Sequence, residues 1–171
     1  VNAVMMFDVL GVPPSDPRRA RARAAIDRLL VIREEADEAY CQPCLSPVWD
    51  TSLACHALLE VGGSKATTAA ARGLAWLRPL QELECYGDWI VRRPGLRPGG
   101  WAFQYANPHY PDVDDTAVVA MAMHRAVHAT DGKMRVVREE DELAQTNECI
   151  SRAVEWITGM QSHDGGWGAF E

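Results

Sequence analysis

The feature that most constrains the fold is an alternation of apolar and amphipathic helical stretches, separated by loops rich in glycine and proline. The predicted helices cover residues 1–10, 18–32, 52–61, 65–80, 114–128 and 148–160. The first, third and fifth carry few charges, as expected of helices covered on most sides, whereas the others have a polar face. An apolar helix followed by an amphipathic one, three times over, predicts an all-α fold. In this α/α toroid, part of an (α/α)6 barrel, an inner ring of helices is wrapped by an outer ring.

Three helical hairpins amount to about half of such a ring, which closes its core only when several units stack. The chain also begins inside an apolar helical stretch without an initiator Met, and it stops directly after a Gly-Trp-Gly loop. We therefore expect residues 1–171 to be a partial toroid, truncated at both ends, from a longer polypeptide. Between the helices, we expect 33–48 to be irregular, 82–111 to be a long loop and 130–147 to be a polar insertion.

Composition excludes several classes of protein. A formal net charge of −7 argues against a nucleic-acid binder, which would normally present a basic face. A hydrophobic content of 47% excludes a disordered chain, and no apolar run approaches the ~20 residues that span a bilayer. Five cysteines at uneven spacing do not suggest a disulfide framework, so a reducing compartment fits better.

A second repeat lies where the outer helices end. In two places a basic residue, a small residue, an aromatic–aliphatic pair and a Gln are followed by Gly-x-Trp. The four residues that mark these QW-type repeats are Gln81 and Trp89 in the first copy, and Gln161 and Trp167 in the second. The Gln can bond backbone groups at the helix end and in the following loop, and the Trp can lie over it. Each loop is therefore predicted to fasten its outer helix to the neighbouring one.

Three carboxylates occupy four positions before the most apolar helix: Asp112, Asp114 and Asp115. Like charges this close cannot all ionise cheaply, so at least one is expected to keep a proton near neutral pH. The amino end of a helix stabilises the carboxylate left after proton donation, and such a group is a useful general acid. Helix capping and a Mg²⁺ site are the alternative interpretations of this cluster.

Aromatic residues accompany the acids in the sequence. They are Trp49 before an apolar helix, Trp101 and Phe103 in the loop upstream of the acids, and Phe170 near the end of the chain. Each alone is more typical of a protein core, but rings that face a dry cavity attract cations. An acid at one end of such a cavity and rings along its wall suit protonation of an alkene and passage of a carbocation.

These motifs together resemble bacterial squalene–hopene cyclases of the terpene cyclase/mutase family. The resemblance rests on Asp-Val-Asp-Asp-Thr-Ala at 112–117, Ser-Pro-Val-Trp-Asp-Thr at 46–51, Gly-Trp-Gly-Ala-Phe at 166–170 and the two QW-type repeats. It extends across nearly the whole chain and matches a central section of a much longer protein. It implies two α-toroid domains and the conversion of squalene to hopene or hopanol, without metal or organic cofactor.

The resemblance also implies roles for single residues. Asp114 matches the proton donor, and Asp112 and Asp115 match the carboxylates that tune and hold it. Trp49 and Phe103 match wall aromatics that stabilise ring cations, while Phe170 falls where many relatives carry Tyr. The activating His of the family lies downstream of residue 171, so this chain alone is not expected to turn over.

The resemblance further implies a peripheral, monotopic protein on the cytoplasmic face of the bacterial inner membrane. Squalene is the expected partner, no nucleic acid is expected, and a homodimer is left open.

Two rival functions remain open on the sequence. A class II diterpene cyclase shares the acidic motif but acts on a prenyl diphosphate with Mg²⁺, and a non-catalytic α-toroid interaction module would use the acids only as helix caps.

Two pairs of metal-ligating residue types in the sequence are interpreted as structural rather than functional. Cys41 and Cys44 have metal-like spacing but no second pair, and are expected to be free thiols. His124 and His128 lack the Glu of a zinc hydrolase and fit an ordinary helix face.

Overall fold

The structure is a computed structural model that describes residues 2–41, 45–128, 136–137 and 139–170. The chain divides into two compact units, Val1–Leu45 and Ser46–Glu171. The acidic motif and all the candidate aromatics belong to the second unit. The polypeptide is predominantly α-helical, as predicted, and its described residues include two short antiparallel strand pairs.

The first unit contains helices α1 (Asn2–Val9) and α2 (Pro17–Asp27), followed by strands β1 (Leu30–Arg33) and β2 (Glu38–Cys41). Asp16 caps α2 by accepting a hydrogen bond from the Arg18 backbone N–H at 2.8 Å. None of the residues of α1 or α2 is buried, so the prediction that helix 1–10 is covered on most sides is not met in the described residues.

Two sequence predictions fail in this unit. Helix 18–32 ends at Asp27, and segment 33–48 is not simply irregular, because residues 30–33 and 38–41 form a β-hairpin. The β-branched pair Val31 and Ile32 favours a strand, and a 3₁₀ turn ending in left-handed Asp37 reverses the chain. Apolar residues at helical spacing therefore predict a helix up to residue 32, whereas α2 ends at Asp27 and a strand follows.

The second unit is built on two helical hairpins. The first pairs α3 (Pro47–Val61) with α4 (Gly63–Leu77), and the second pairs α5 (Val113–Val127) with α6 (Glu140–Met160). Helices α3 and α5 also pack on each other, which makes them one layer, with α4 and α6 as their hairpin partners. This is the alternation of inner and outer helices that the apolar and amphipathic segments predict.

Two helices of this unit begin earlier than predicted. Helix α3 is capped by Ser46 and begins at Pro47, five residues before the predicted helix 52–61. Helix α6 begins at Glu140, so the second half of the predicted insertion 130–147 is helical, and most of the first half lies outside the described residues. Three acidic residues in the first turn of α6 favour a helix start there.

The core lies between these four helices and is made largely of small side chains. Its buried members include Cys55 of α3, Ala70 and Leu74 of α4, and Ala122 and Met123 of α5. At Gly73 the two helices of the first hairpin approach so closely that a Cβ would lie 2.6 Å from the Cys55 sulfur. A larger residue at position 73 would therefore force the Cys55 side chain to shift within the core.

The two Gln residues of the QW-type repeats make matching contacts. The side-chain nitrogen of Gln81 donates to the Gly99 carbonyl at 2.8 Å, and that of Gln161 donates to the Gly165 carbonyl at 2.8 Å. Gln81 also donates to the Cys149 carbonyl of α6 at 2.9 Å. Through this bond the loop after α4 is fastened to the next outer helix.

The tryptophan contacts identify a different residue as the Trp of the first repeat. The Trp167 indole donates to the Ile157 carbonyl at 2.8 Å, and the Trp101 indole donates to the equivalent Leu77 carbonyl at 2.8 Å. In both repeats the acceptor lies four residues before the Gln. Trp101 is thus the structural counterpart of Trp167, and the assignment of Trp89 to the first repeat is corrected.

Trp89 belongs instead to a 3₁₀ turn, Asp88–Val91, within the long segment between Gln81 and Gly99. Its ring makes an edge-to-face contact with Trp156 of α6 at 6.1 Å between ring centroids. It packs with Met160 and Val113, whereas Gln81 bonds to Gly99 and Cys149. The segment 82–98 is therefore an insertion into the first repeat that covers the end of α6.

The corrected repeat predicts different costs for two similar substitutions. Both Trp101 and Trp89 are buried, but only the Trp101 indole N–H has an acceptor among the residues that the structure describes. Trp101→Phe should lower the free energy of unfolding by about 1–3 kcal/mol more than Trp89→Phe, because it leaves the Leu77 carbonyl without that donor. Urea unfolding of the two variants in the full-length protein measures the difference. Equal losses would contradict the assignment of Trp101 to the repeat.

Candidate active site

The three acids lie at the start of α5, where β4 (Pro111–Asp112) passes into the helix. Asp112 is the N-cap, and its carboxylate accepts a hydrogen bond from the Asp115 backbone N–H at 2.7 Å. Asp112 and Asp115 are buried, with 4% and 1% of their surfaces exposed, whereas Asp114 is exposed. The motif therefore holds two carboxyls inside the protein and presents the third outward.

A short strand pair and one threonine fix this helix start. Strand β3 (Trp101–Ala102) pairs with β4, so that Trp101 stands opposite Asp112. The buried Thr116 hydroxyl donates to the Asp112 carbonyl at 2.6 Å and accepts from the Trp101 backbone N–H at 2.9 Å. At Gly100 a Cβ would lie 2.8 Å from both this hydroxyl and Pro111, so only glycine allows the close approach. The loop of the first repeat thus positions the acidic motif.

The acids open onto a cavity of about 510 Å³. Its lining consists of carboxyls, aromatic rings, amides and one alanine, namely Trp49, Phe103, Gln104, Asn107, Tyr110, Asp112, Asp114, Asp115, Ala169 and Phe170. Most of this wall is apolar, and the carboxyls are concentrated at the amino end of α5. The cavity can therefore hold a largely hydrocarbon ligand with one end against an acid.

The electrostatics of the cluster favour a retained proton. Burial, followed by the charge of Asp112 and a hydrogen bond to it, raises the pKa of Asp115 from its ordinary value of 3.8 to about 8. Asp114 and Asp50 contribute further repulsion in the same direction. Burial also raises the pKa of Asp112, although the backbone N–H of Asp115 opposes the shift. At neutral pH the cluster keeps at least one proton, as the spacing of the acids predicts.

The protonated state also fits the hydrogen bonding of Asp115. Its Oδ1 is buried and has no hydrogen-bond partner among the described residues. An unpaired buried oxygen is far less costly on a neutral carboxyl than on a carboxylate.

Two of the predicted wall aromatics come from different elements. Trp49 lies in the first turn of α3, and Phe103 follows β3. Both are partly buried and line the cavity. Phe170 lines it too, on a loop whose Ala169 carbonyl accepts a hydrogen bond from the Val113 backbone N–H at 2.8 Å. Each QW-type loop thus returns to the start of an inner helix and brings one phenylalanine to the cavity.

Trp101 differs from the other predicted aromatics. It is fully buried, with 0% of its surface exposed, and it does not line the cavity. Because its indole is bonded to the end of α4, it cannot face a substrate. The structure places Trp101 in the core, as the anchor of the first repeat, rather than on the wall.

Four residues of the site are not singled out by the sequence patterns. Gln104, Asn107 and Tyr110 line the cavity, and the side chain of Asn107 donates to that of Gln104 at 2.5 Å. Asp50, in the first turn of α3, adds to the negative field at Asp115. In the sequence, Gln104 and Asn107 are marked as site residues only by their position between the aromatic run and the acids. Nothing local marks Asp50 as a neighbour of α5.

The cysteine and histidine pairs with metal-like spacing do not form a metal site among the described residues. Cys41 is an exposed free thiol, and Cys44 lies outside the described residues. The rings of His124 and His128 are 4.2 Å apart between centroids. Within the described ranges, no group of three or more His, Cys, Asp or Glu side chains could hold a metal ion. None of the described helices is long and apolar enough to cross a membrane.

Comparison with known proteins connects this geometry with a family. Residues 45–171 match the squalene–hopene cyclase C-terminal domain. The chain is 58% identical over 170 residues to a probable squalene–hopene cyclase of Sinorhizobium fredii, covering 99% of this chain and 24% of that protein. Squalene–hopene cyclases of Zymomonas mobilis and Bradyrhizobium diazoefficiens are 55% and 57% identical, over 99% of this chain and 25% and 24% of theirs. The chain spans about a quarter of the length of these curated relatives.

Proposed function

The chain belongs to the squalene–hopene cyclase family, and from this premise we propose that it forms part of the active-site cavity of a full-length triterpene cyclase. The proposed reaction is acid-initiated polycyclisation of squalene to hopene, or to hopanol when water captures the last cation. The observation that carries this proposal is the placement of three carboxyls and four aromatic rings around one cavity of about 510 Å³.

The proposed proton donor is Asp114, the exposed carboxyl of the cluster. All three acids line the cavity, but Asp112 and Asp115 are buried, whereas Asp114 is exposed and is therefore the acid that a substrate carbon can approach most freely. The two buried acids share with Asp114 the proton that the cluster retains, and the state with that proton on Asp114 is the one that reacts. The amino end of α5 stabilises the carboxylate that remains after donation.

In the first step, the π electrons of the terminal alkene take the proton from the Asp114 oxygen. A new C–H bond forms at one alkene carbon, the other becomes a tertiary cation, and Asp114 is left as a carboxylate. Each following alkene attacks the cation before it, so that one C–C bond forms and the charge moves along the chain. The final cation loses a proton to give hopene, and this proton balances the one that Asp114 supplies in the first step.

The aromatic wall supports the travelling charge. Trp49, Phe103 and Phe170 line the same cavity as the acids, and a ring face attracts a cation by about 0.5–2 kcal/mol, more in a dry site. Phe170 has no hydroxyl, so in this chain its contribution is restricted to its ring. The wall stabilises positive charge without offering a strong nucleophile that would trap it.

We also propose that the full-length protein takes its substrate from the cytoplasmic face of the bacterial inner membrane as a peripheral protein. Squalene is a hydrocarbon without any polar group, so it partitions into the bilayer rather than into water. Vesicle flotation of the full-length protein with and without salt tests this membrane association, and failure to float with vesicles would contradict it.

The function is tested with the full-length protein and two substrates. Squalene should be converted to pentacyclic product, and a metal chelator should leave that conversion unchanged. Turnover of geranylgeranyl diphosphate alone, abolished by the chelator, would identify a class II diterpene cyclase instead. If neither substrate reacts and replacement of all three Asp by Asn changes only stability, the chain belongs to an interaction module.

A further inference from the structure

One buried hydroxyl joins the two wall aromatics that come from different elements. Ser46 is 2% exposed and caps α3: its oxygen accepts a hydrogen bond from the Trp49 backbone N–H at 3.0 Å. The same hydroxyl donates to the Phe103 carbonyl at 2.7 Å. A single side-chain atom therefore holds the first turn of α3 and the loop after β3 in one arrangement.

The second hairpin makes the corresponding junction through a main-chain hydrogen bond. There the loop after the outer helix is held by the Val113 backbone N–H, which donates to the Ala169 carbonyl at 2.8 Å. Because this bond is between main-chain groups, side-chain substitutions leave it in place. The first junction depends instead on the Ser46 hydroxyl, so one substitution can release it.

We propose that Ser46 is a positioning residue of the cyclisation: it sets the separation of Trp49 and Phe103 across the cavity and so controls how far the cyclisation proceeds. This inference rests on the proposed function. Cation–π attraction depends on where the ring face lies relative to the charge. When the bond to Ser46 is lost, the residues after β3 are no longer fixed to α3 by that hydroxyl, so the Phe103 ring moves more freely relative to Trp49 and an intermediate cation is stabilised less well.

The expected chemical result is early termination. A poorly stabilised intermediate cation loses a proton from a neighbouring carbon, and the electron pair of that C–H bond forms an alkene. The product is a hydrocarbon with fewer rings, formed with the same overall proton balance. Protonation by Asp114 is unaffected, because Ser46 does not belong to the acidic cluster, so squalene should still be consumed.

Ser46 has two roles, the tether (its hydrogen bond to the Phe103 carbonyl) and the cap of α3, and three substitutions distinguish their effects. Ser46→Thr keeps a hydroxyl that can cap α3 and donate to Phe103. Ser46→Ala loses both interactions, whereas Ser46→Gly loses the tether but lowers helix stability much less, since glycine is tolerated at an N-cap. Asp16→Ala removes the N-cap of α2 and is the control for cap loss elsewhere in the chain.

The experiment compares product ratios from squalene in the full-length protein, at equal substrate consumption. For Ser46→Ala and Ser46→Gly we expect about a fivefold rise in the ratio of partially to fully cyclised product, which corresponds to about 1 kcal/mol. Ser46→Thr and Asp16→Ala should retain the parental ratio. If Ser46→Ala fails to fold, the product ratio of Ser46→Gly still tests the inference.

Two results would overturn the inference. One is a parental product ratio in Ser46→Gly, which would reduce Ser46 to a helix cap. The other is an equal rise in Asp16→Ala, which would attribute the change to general destabilisation. If the parental protein itself leaves squalene unchanged, the proposed function fails, and this outcome is distinct from a change in Ser46 variants of an active cyclase.

Discussion

Asp114→Asn in the full-length protein should reduce the formation of pentacyclic product from squalene by at least about 100-fold, the usual contribution of a general acid. The amide has nearly the shape of the carboxyl but cannot supply a proton acidic enough to attack an alkene. Because Asp114 is exposed, the substitution should change the free energy of unfolding by no more than about 0.5 kcal/mol. Product analysis by gas chromatography measures the first effect, and thermal unfolding measures the second.

A matched control for this variant is Asp88→Asn. Asp88 is also exposed, but it lies in the 3₁₀ turn of segment 82–98 and does not line the large cavity. Its replacement removes one negative charge while leaving the acidic cluster intact, so the product yield should stay at the parental level. Undiminished hopene from Asp114→Asn would contradict its role and direct attention to Asp112 and Asp115.

The placement of the acids could be predicted from the sequence because the signal is local. A proline, three acids within four positions and an apolar run together indicate the amino end of a buried helix, and α5 begins at Val113. What could not be predicted is which carboxyl would remain exposed. That depends on β3, on the Thr116 hydroxyl and on the closeness of Gly100, which are contacts between segments distant in the sequence.

The misassigned tryptophan shows where spacing fails as a guide. The first Gly-x-Trp after Gln81 contains Trp89, so a match by distance along the chain selects it. The hydrogen bonds select Trp101, because residues 82–98 are inserted into the loop without disturbing its anchors. A signal was present in the sequence, since both Trp101 and Trp167 directly follow a Gly-Gly pair.

Asp50 illustrates a different limit. It lies in the first turn of α3, directly after Trp49, and nothing in that segment relates it to the acids at 112–115. Its effect on Asp115 arises only because α3 and α5 pack side by side. The field at a buried carboxyl is a sum over all neighbouring elements, and no pattern within one element contains it.

The retained proton has a consequence for stability that can be derived with its sign. The pKa of Asp115 is raised from 3.8 to about 8 in the folded protein, so between those two values the folded state binds a proton that the unfolded chain releases. The contribution of Asp115 to the free energy of unfolding is therefore greatest below about pH 4, and it declines as the pH rises. The slope approaches about 1.4 kcal/mol per pH unit and flattens above about pH 8. The raised pKa of Asp112 acts in the same direction.

Asp115→Asn should remove this decline, because an amide resembles the protonated carboxyl and does not ionise. Relative to the parental protein, the variant should become progressively more stable between about pH 5 and pH 8, and the difference should then level off. Thermal unfolding midpoints of the two full-length proteins, measured across this range, give the comparison, with Asp88→Asn as the variant that keeps the parental pH dependence. A difference that stays constant with pH would show that Asp115 ionises normally. A difference that grows as expected would mean that the buried acids favour the protonated cluster at the expense of alkaline stability, a cost that capping alone does not require.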